Sequence, residues 1–99
     1  MELARYYEIR QAGCVALRAP TVRITAPPRL GRATVVLVQQ MPVQTGRCGP
    51  MTVPVAQVRY RALAPGSDTL AWEVRYQQRG AGTHPASAQI TVLPSRPAR

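Results

Sequence analysis

The chain has no lysine, no asparagine and no phenylalanine. Its thirteen basic residues are therefore all arginine, set against four carboxylates, for a formal charge of +9. A GC-rich coding sequence favours Arg, Ala, Pro and Gly, so the arginines are partly a coding habit. The scarcity of acid limits catalysis. Glu2 and Glu8 lie near the N-terminus, Glu73 points outward on its strand, and Asp68 sits at a loop–strand junction. Only one histidine is present, His84, in a Gly/Pro loop. No nucleophile-elbow pattern surrounds Ser67, Ser87 or Ser95. Phosphate-loop and dinucleotide fingerprints are missing, as are RNA-recognition and helix-turn-helix signatures. These absences predict no enzyme and no cofactor. No run approaches the roughly 20 apolar residues of a membrane span, and "MELARYYEIR" lacks the apolar core of a signal peptide.

Cysteine is nearly absent too. Cys14 and Cys48 stand without the company a zinc site needs, which is about four ligands at suitable spacing. A disulfide is the preferred reading, with two buried thiols as the alternative. Closing a loop of roughly 35 residues stabilises a fold by ~4 kcal/mol in the chain-entropy model. A bridge favours an oxidising compartment, periplasmic or extracellular, and a mature chain whose leader is gone.

What is present is period two. "YYEIR" sets Tyr7 and Ile9 against Tyr6, Glu8 and Arg10. Val22 and Ile24 alternate with Arg23 in "TVRIT". "ATVVLVQQM" (33–41) is nearly continuous apolar sequence, as for a central strand. Val58 and Tyr60 alternate with Gln57, Arg59 and Arg61. Leu70, Trp72, Val74 and Tyr76 alternate with Glu73 and Arg75, and Ile90 with Val92 closes the series. A short piece at 14–17 is a further candidate strand. Turn sequences separate these runs at 26–31, 45–50, 64–68 and 80–85. Ten prolines and seven glycines exclude long helices. The pattern predicts an all-β domain over 1–93, an Ig-like antiparallel β-sandwich of about seven short strands, followed by a flexible tail over 94–99. Trp72, Tyr60, Val74, Val58, Ile24 and Val36 are the expected core.

A charge of +9 attracts polyanions such as nucleic acid or acidic glycan, in a salt-dependent way. Arg23, Arg59, Arg61 and Arg75 are the candidate anion-binding residues. Their arrangement turns on the "APGSD" corner. If Asp68 and Trp72 mark a crossing between two sheets, Arg59 and Arg61 face away from Arg75. If the corner is a plain hairpin, all three share a face. The crossing is expected, with Asp68 bonding amides of the preceding turn and Trp72 covering the end of the core. The charge is then spread out and polyanion binding is weak and unspecific.

The block "VRYRALAPGSDTLAWEVRY" (58–76) resembles the "v-x-Y-x-P-x-x-G-x-D-x-f-x-y-x-V" stretch of bacterial Ig-like and cadherin-like modules of secreted proteins. "VRITAPPRLGRATVV" resembles their "P-x-h-G-t-v" turn, with Pro28 and Gly31 on the matching positions, and "AQITVL" their last strand. The resemblance covers about residues 20–93. It departs at Gly66, where the turn before the aspartate is shortened, and at Leu70, with the aromatic displaced to Trp72. Calcium is not carried over, since Asp68 is the only candidate ligand. The resemblance implies an extracytoplasmic structural or adhesion-type module that binds a protein partner, or assembles with itself, through edge strands. "ARYYEIR" is one candidate pairing strand, or else an ordinary first strand.

Overall fold

The computed structural model describes residues 1–94, so residues 95–99 of the expected tail lie outside the described residues. The strands in chain order are β1 (Glu2–Tyr6), β2 (Ile9–Arg10), β3 (Val15–Ala16), β4 (Thr21–Ala26), β5 (Gly31–Gln44), β6 (Pro50–Ala62), β7 (Gly66–Arg75) and β8 (Thr83–Val92), with one 3₁₀ turn at Gly46–Cys48. The all-β expectation holds. The strands are less uniform than expected: β2 and β3 have two residues each, whereas β5 and β6 have 14 and 13.

Two antiparallel sheets of three strands, ordered β1-β6-β5 and β4-β7-β8, share a core, and β2 with β3 forms a small separate hairpin. The core joins Val58 and Tyr60 of β6 to Leu70, Trp72 and Val74 of β7 and Ile90 of β8. These are the residues that period-two alternation turns inward. Ile24 is half-buried at the margin of this cluster. Val36 is not in it. It shares the outer face of β5 with Arg32 and Thr34, opposite Gln57. The expectation of a central strand over 33–41 is likewise corrected, because β5 is an edge strand. Its run is apolar on both faces because Ala33 packs against the core while Val36 sits beside Gln57; Leu37 remains 65 % exposed.

The N-terminal strand also differs. Main-chain pairing with β6 runs from Met1, which exchanges bonds with Tyr60, and stops at Tyr6, and alternation breaks because Glu8 turns inward and is buried. β1 pairs with β6 as a member of its own sheet. β6 begins at Pro50 and β8 at Thr83, inside the turn sequences expected at 45–50 and 80–85. Pro54 lies opposite the register shift between Val38 and Met41, where no ladder donor is needed, and Pro85 lies on an edge strand.

The molecule measures 55 × 31 × 19 Å with a radius of gyration of 16.1 Å, against about 13 Å for a compact chain of this length. The cause is the β5–β6 hairpin. β1 pairs only with residues 56–59 of β6, so the half of the hairpin beyond Ala56 projects from the paired sheets. Val53 and Val55 are nonetheless fully buried there. β3 lies against β6, and a disulfide from Cys14 to Cys48 fastens the β2–β3 hairpin to the tip. The Tyr7 hydroxyl adds a 3.3 Å bond to the Gln44 carbonyl.

Candidate functional site

After β6 the chain passes through residues 63–65 into β7 of the other sheet. Asp68 sits just past this crossing and is 4 % exposed. It accepts from the amides of Arg29 and Leu30, both at 2.9 Å, from its neighbour Thr69 at 3.0 Å, and from the Tyr60 hydroxyl at 2.8 Å. The main-chain partners are thus mostly in the β4–β5 turn rather than in the turn just before Asp68. Burial pushes the Asp68 carboxyl up, but the Arg29 and Leu30 amides, the Tyr60 hydroxyl and the Thr69 amide together hold it below the usual carboxylate range. Burial, followed by the hydrogen bond to Asp68 and then the Asp68 charge, raises the Tyr60 phenol. Gly31 closes this corner. A Cβ there would lie 2.5 Å from the Arg61 carbonyl and 2.6 Å from the Tyr60 ring, so only glycine lets the strand pass. Trp72 is buried inside the sandwich, with its indole N–H donating to the Tyr6 hydroxyl at 2.9 Å.

The crossing separates the four candidate arginines. Arg23 and Arg75 lie on the outer face of β4 and β7, where Arg23 sits opposite Glu73 and pairs with it at 2.8 Å. Arg59 and Arg61 lie on the outer face of the other sheet. There they are joined by Arg32, which faces Arg61 across the β5–β6 ladder. Together with Thr34, Val36 and Ala62 these arginines line an open groove of about 690 Å³. The positive charge is therefore more concentrated than expected. Arg32 was missed because nothing local in the sequence sets the hairpin register.

Glu8 was also missed. Its carboxylate accepts from the amides of Gln77 and Gln78, both at 2.8 Å, tying the N-terminal segment to the β7–β8 turn. Burial pushes this carboxyl up, and those amides with the Gln78 and Gln77 side chains more than offset it, leaving it below the ordinary value. Glu2 is engaged as well, by Arg5 Nε at 2.8 Å and Gln57 Nε2 at 2.6 Å. Every carboxylate among the described residues thus has a structural partner. His84 lies on β8, edge-on to Tyr76 at 5.6 Å between ring centroids and 2.7 Å from the Ala81 carbonyl. No group of three potential metal-ligating side chains occurs among the described residues, and none of their helices is long and apolar enough to cross a membrane.

Comparison with protein-family models, with curated proteins and with solved structures finds no match to this chain.

Proposed function

We propose that the chain is a non-enzymatic extracytoplasmic module of the Ig-like β-sandwich type, which self-associates by pairing β8 with β8 of a second copy. The observation that carries this reading is the contrast between the four sheet edges. Exposed edges are usually blunted by charge, bulges, proline or shortness. β1 is short, carries Glu2 and Arg5, and has a register shift. β4 carries Arg23 and a register shift. β5 carries Arg32, Pro42 and a register shift. β8 runs ten residues in unbroken register with β7 and holds no Asp, Glu or Arg; Pro85 near its start is its only blunting residue. Two such strands paired antiparallel would make one continuous six-stranded sheet through an isologous contact. The engagement of every described carboxylate in structural bonds supports a role without catalysis, and the disulfide supports an oxidising compartment.

Ser87 and Gln89 are exposed on β8, so lysine there tests the edge without touching the core. Light scattering over a concentration series is expected to show a wild-type dimer and a monomeric Ser87→Lys/Gln89→Lys double variant with unchanged circular dichroism. A wild-type chain that stays monomeric up to its solubility limit overturns the proposal.

A further inference from the structure

We propose that the open groove on the outer face of β5 and β6 binds an acidic polysaccharide, gripped by Arg32, Arg59 and Arg61. The site lies on a sheet face, apart from the β8 edge, and does not depend on self-association.

Arg32 stands directly opposite Arg61, and Arg59 lies opposite Thr34, two residues further along. Directly opposed side chains have Cβ atoms about 5 Å apart, and like charges in that relation destabilise a sheet. The next outward position is roughly 7 Å along the strand. Three guanidinium groups therefore crowd one small area. No carboxylate among the described residues pairs with any of them. Glu2, opposite Arg59 in the ladder, is held by Arg5 and Gln57 instead. The other sheet shows the alternative arrangement: there a cross-strand position facing an arginine is filled by Glu73, and the pair closes at 2.8 Å. In the groove, Arg32 and Arg61 face each other with no carboxylate in register, and the Glu2 opposite Arg59 closes on Arg5 and Gln57 rather than on Arg59, so an external anion relieves the repulsion.

The shape and lining narrow the class of anion. The groove is open, which suits a chain lying along it better than an enclosed small molecule. Guanidinium forks match carboxylate, sulfate and phosphate oxygens in bidentate geometry. Single-stranded nucleic acid would need aromatic faces for base stacking. The only aromatic lining the groove is Tyr60, which is 3 % exposed with its hydroxyl committed to Asp68. The Cys14–Cys48 bridge fits the oxidising compartments in which acidic glycans are encountered.

The test uses the full chain, heparin as a sulfated polysaccharide probe, and oligo-dT with the same number of charges as competitor. Arg32→Gln/Arg61→Gln is compared with Arg23→Gln/Arg75→Gln; each removes two positive charges. Heparin affinity is expected to fall on the order of tenfold or more per lost charged contact in the first pair and to change little in the second. Heparin should also raise the Tm of the wild type and leave that of Arg32→Gln/Arg61→Gln nearly unmoved. Without ligand and at low salt, Arg61→Gln should melt above the wild type, because the opposed charge is gone. Equal losses in both pairs would assign binding to diffuse charge and overturn the site. Oligo-dT displacing heparin at equal charge would overturn the ligand class. A lower Tm for Arg61→Gln at low salt would show that the three arginines do not repel one another, and that too would overturn the proposal.

Discussion

Asp68 shows how one side chain holds several elements. Its two oxygens meet the β4–β5 turn, the β6 residue Tyr60 and its own neighbour Thr69. Its carboxyl titrates below the ordinary value, so in the acid range the unfolded chain binds more protons than the native one. Its stabilising effect is therefore complete above the ordinary carboxylate pKa and is lost as pH falls through the lower native value. Glu8 is shifted in the same direction and adds to the same acid limb. Melting curves of the wild type between pH 7 and strongly acidic pH should show Tm falling through this window. Asp68→Asn should lower Tm at neutral pH, because an amide –NH₂ would face main-chain donors, and should flatten the acid limb. An Asp68→Asn curve parallel to that of the wild type would refute the assignment. The importance of Asp68 was legible in the sequence from its place between "APG" and Trp72. Its partners at Arg29 and Leu30 were not, since a buried carboxylate bonds whatever amides the other sheet delivers. Glu8 was harder still to see, because its amides lie about seventy residues away, at Gln77 and Gln78.

At the scale of elements, alternation located the central parts of β4, β6 and β7, because one buried face imposes period two on each. It did not give the pairing of β5 with β6. Near the tip, Gln44 faces Pro50 and Val43 faces Met51, so paired residue numbers sum to 94. Continued unchanged, that register would set Arg32 against Ala62. The shift between Val38 and Met41 lowers the sum to 93 and sets Arg32 against Arg61. A one-residue slip changes which side chains share a face, and no turn residue in the sequence announces it. The disulfide was legible because two cysteines without metal ligands leave few alternatives. It closes a 34-residue separation, for which the chain-entropy model gives ~4 kcal/mol. Cys14→Ser/Cys48→Ser is expected to lose up to about that amount in urea unfolding. A loss near zero would mean that the β2–β3 hairpin stays in place without its covalent tie.

The whole molecule has two unequal parts. One is the sandwich around Trp72; the other is the projecting end of the β5–β6 hairpin, covered by a short N-terminal hairpin. Val53 and Val55 are buried in the second part but lie outside the main core cluster. Opening there exposes less apolar surface and should need less free energy than global unfolding. Native-state hydrogen exchange should therefore find the slowest amides at residues 58–60 and 70–74, and faster ones at Met41, 43–44 and 51–53. Uniform protection across both groups would show a single cooperative unit.

The bonds that close the N-terminal segment onto the rest of the chain also set an order in time. Tyr6 receives its hydrogen bond from Trp72, Glu8 from Gln77 and Gln78, and β1 has no strand to pair with before β6. During synthesis, β1 must wait about fifty residues for its partners at 56–59, and Tyr6 and Glu8 about seventy residues for Trp72, Gln77 and Gln78. Contacts of such long sequence separation slow folding. In that interval Cys14 remains an unpaired thiol until Cys48 follows it out.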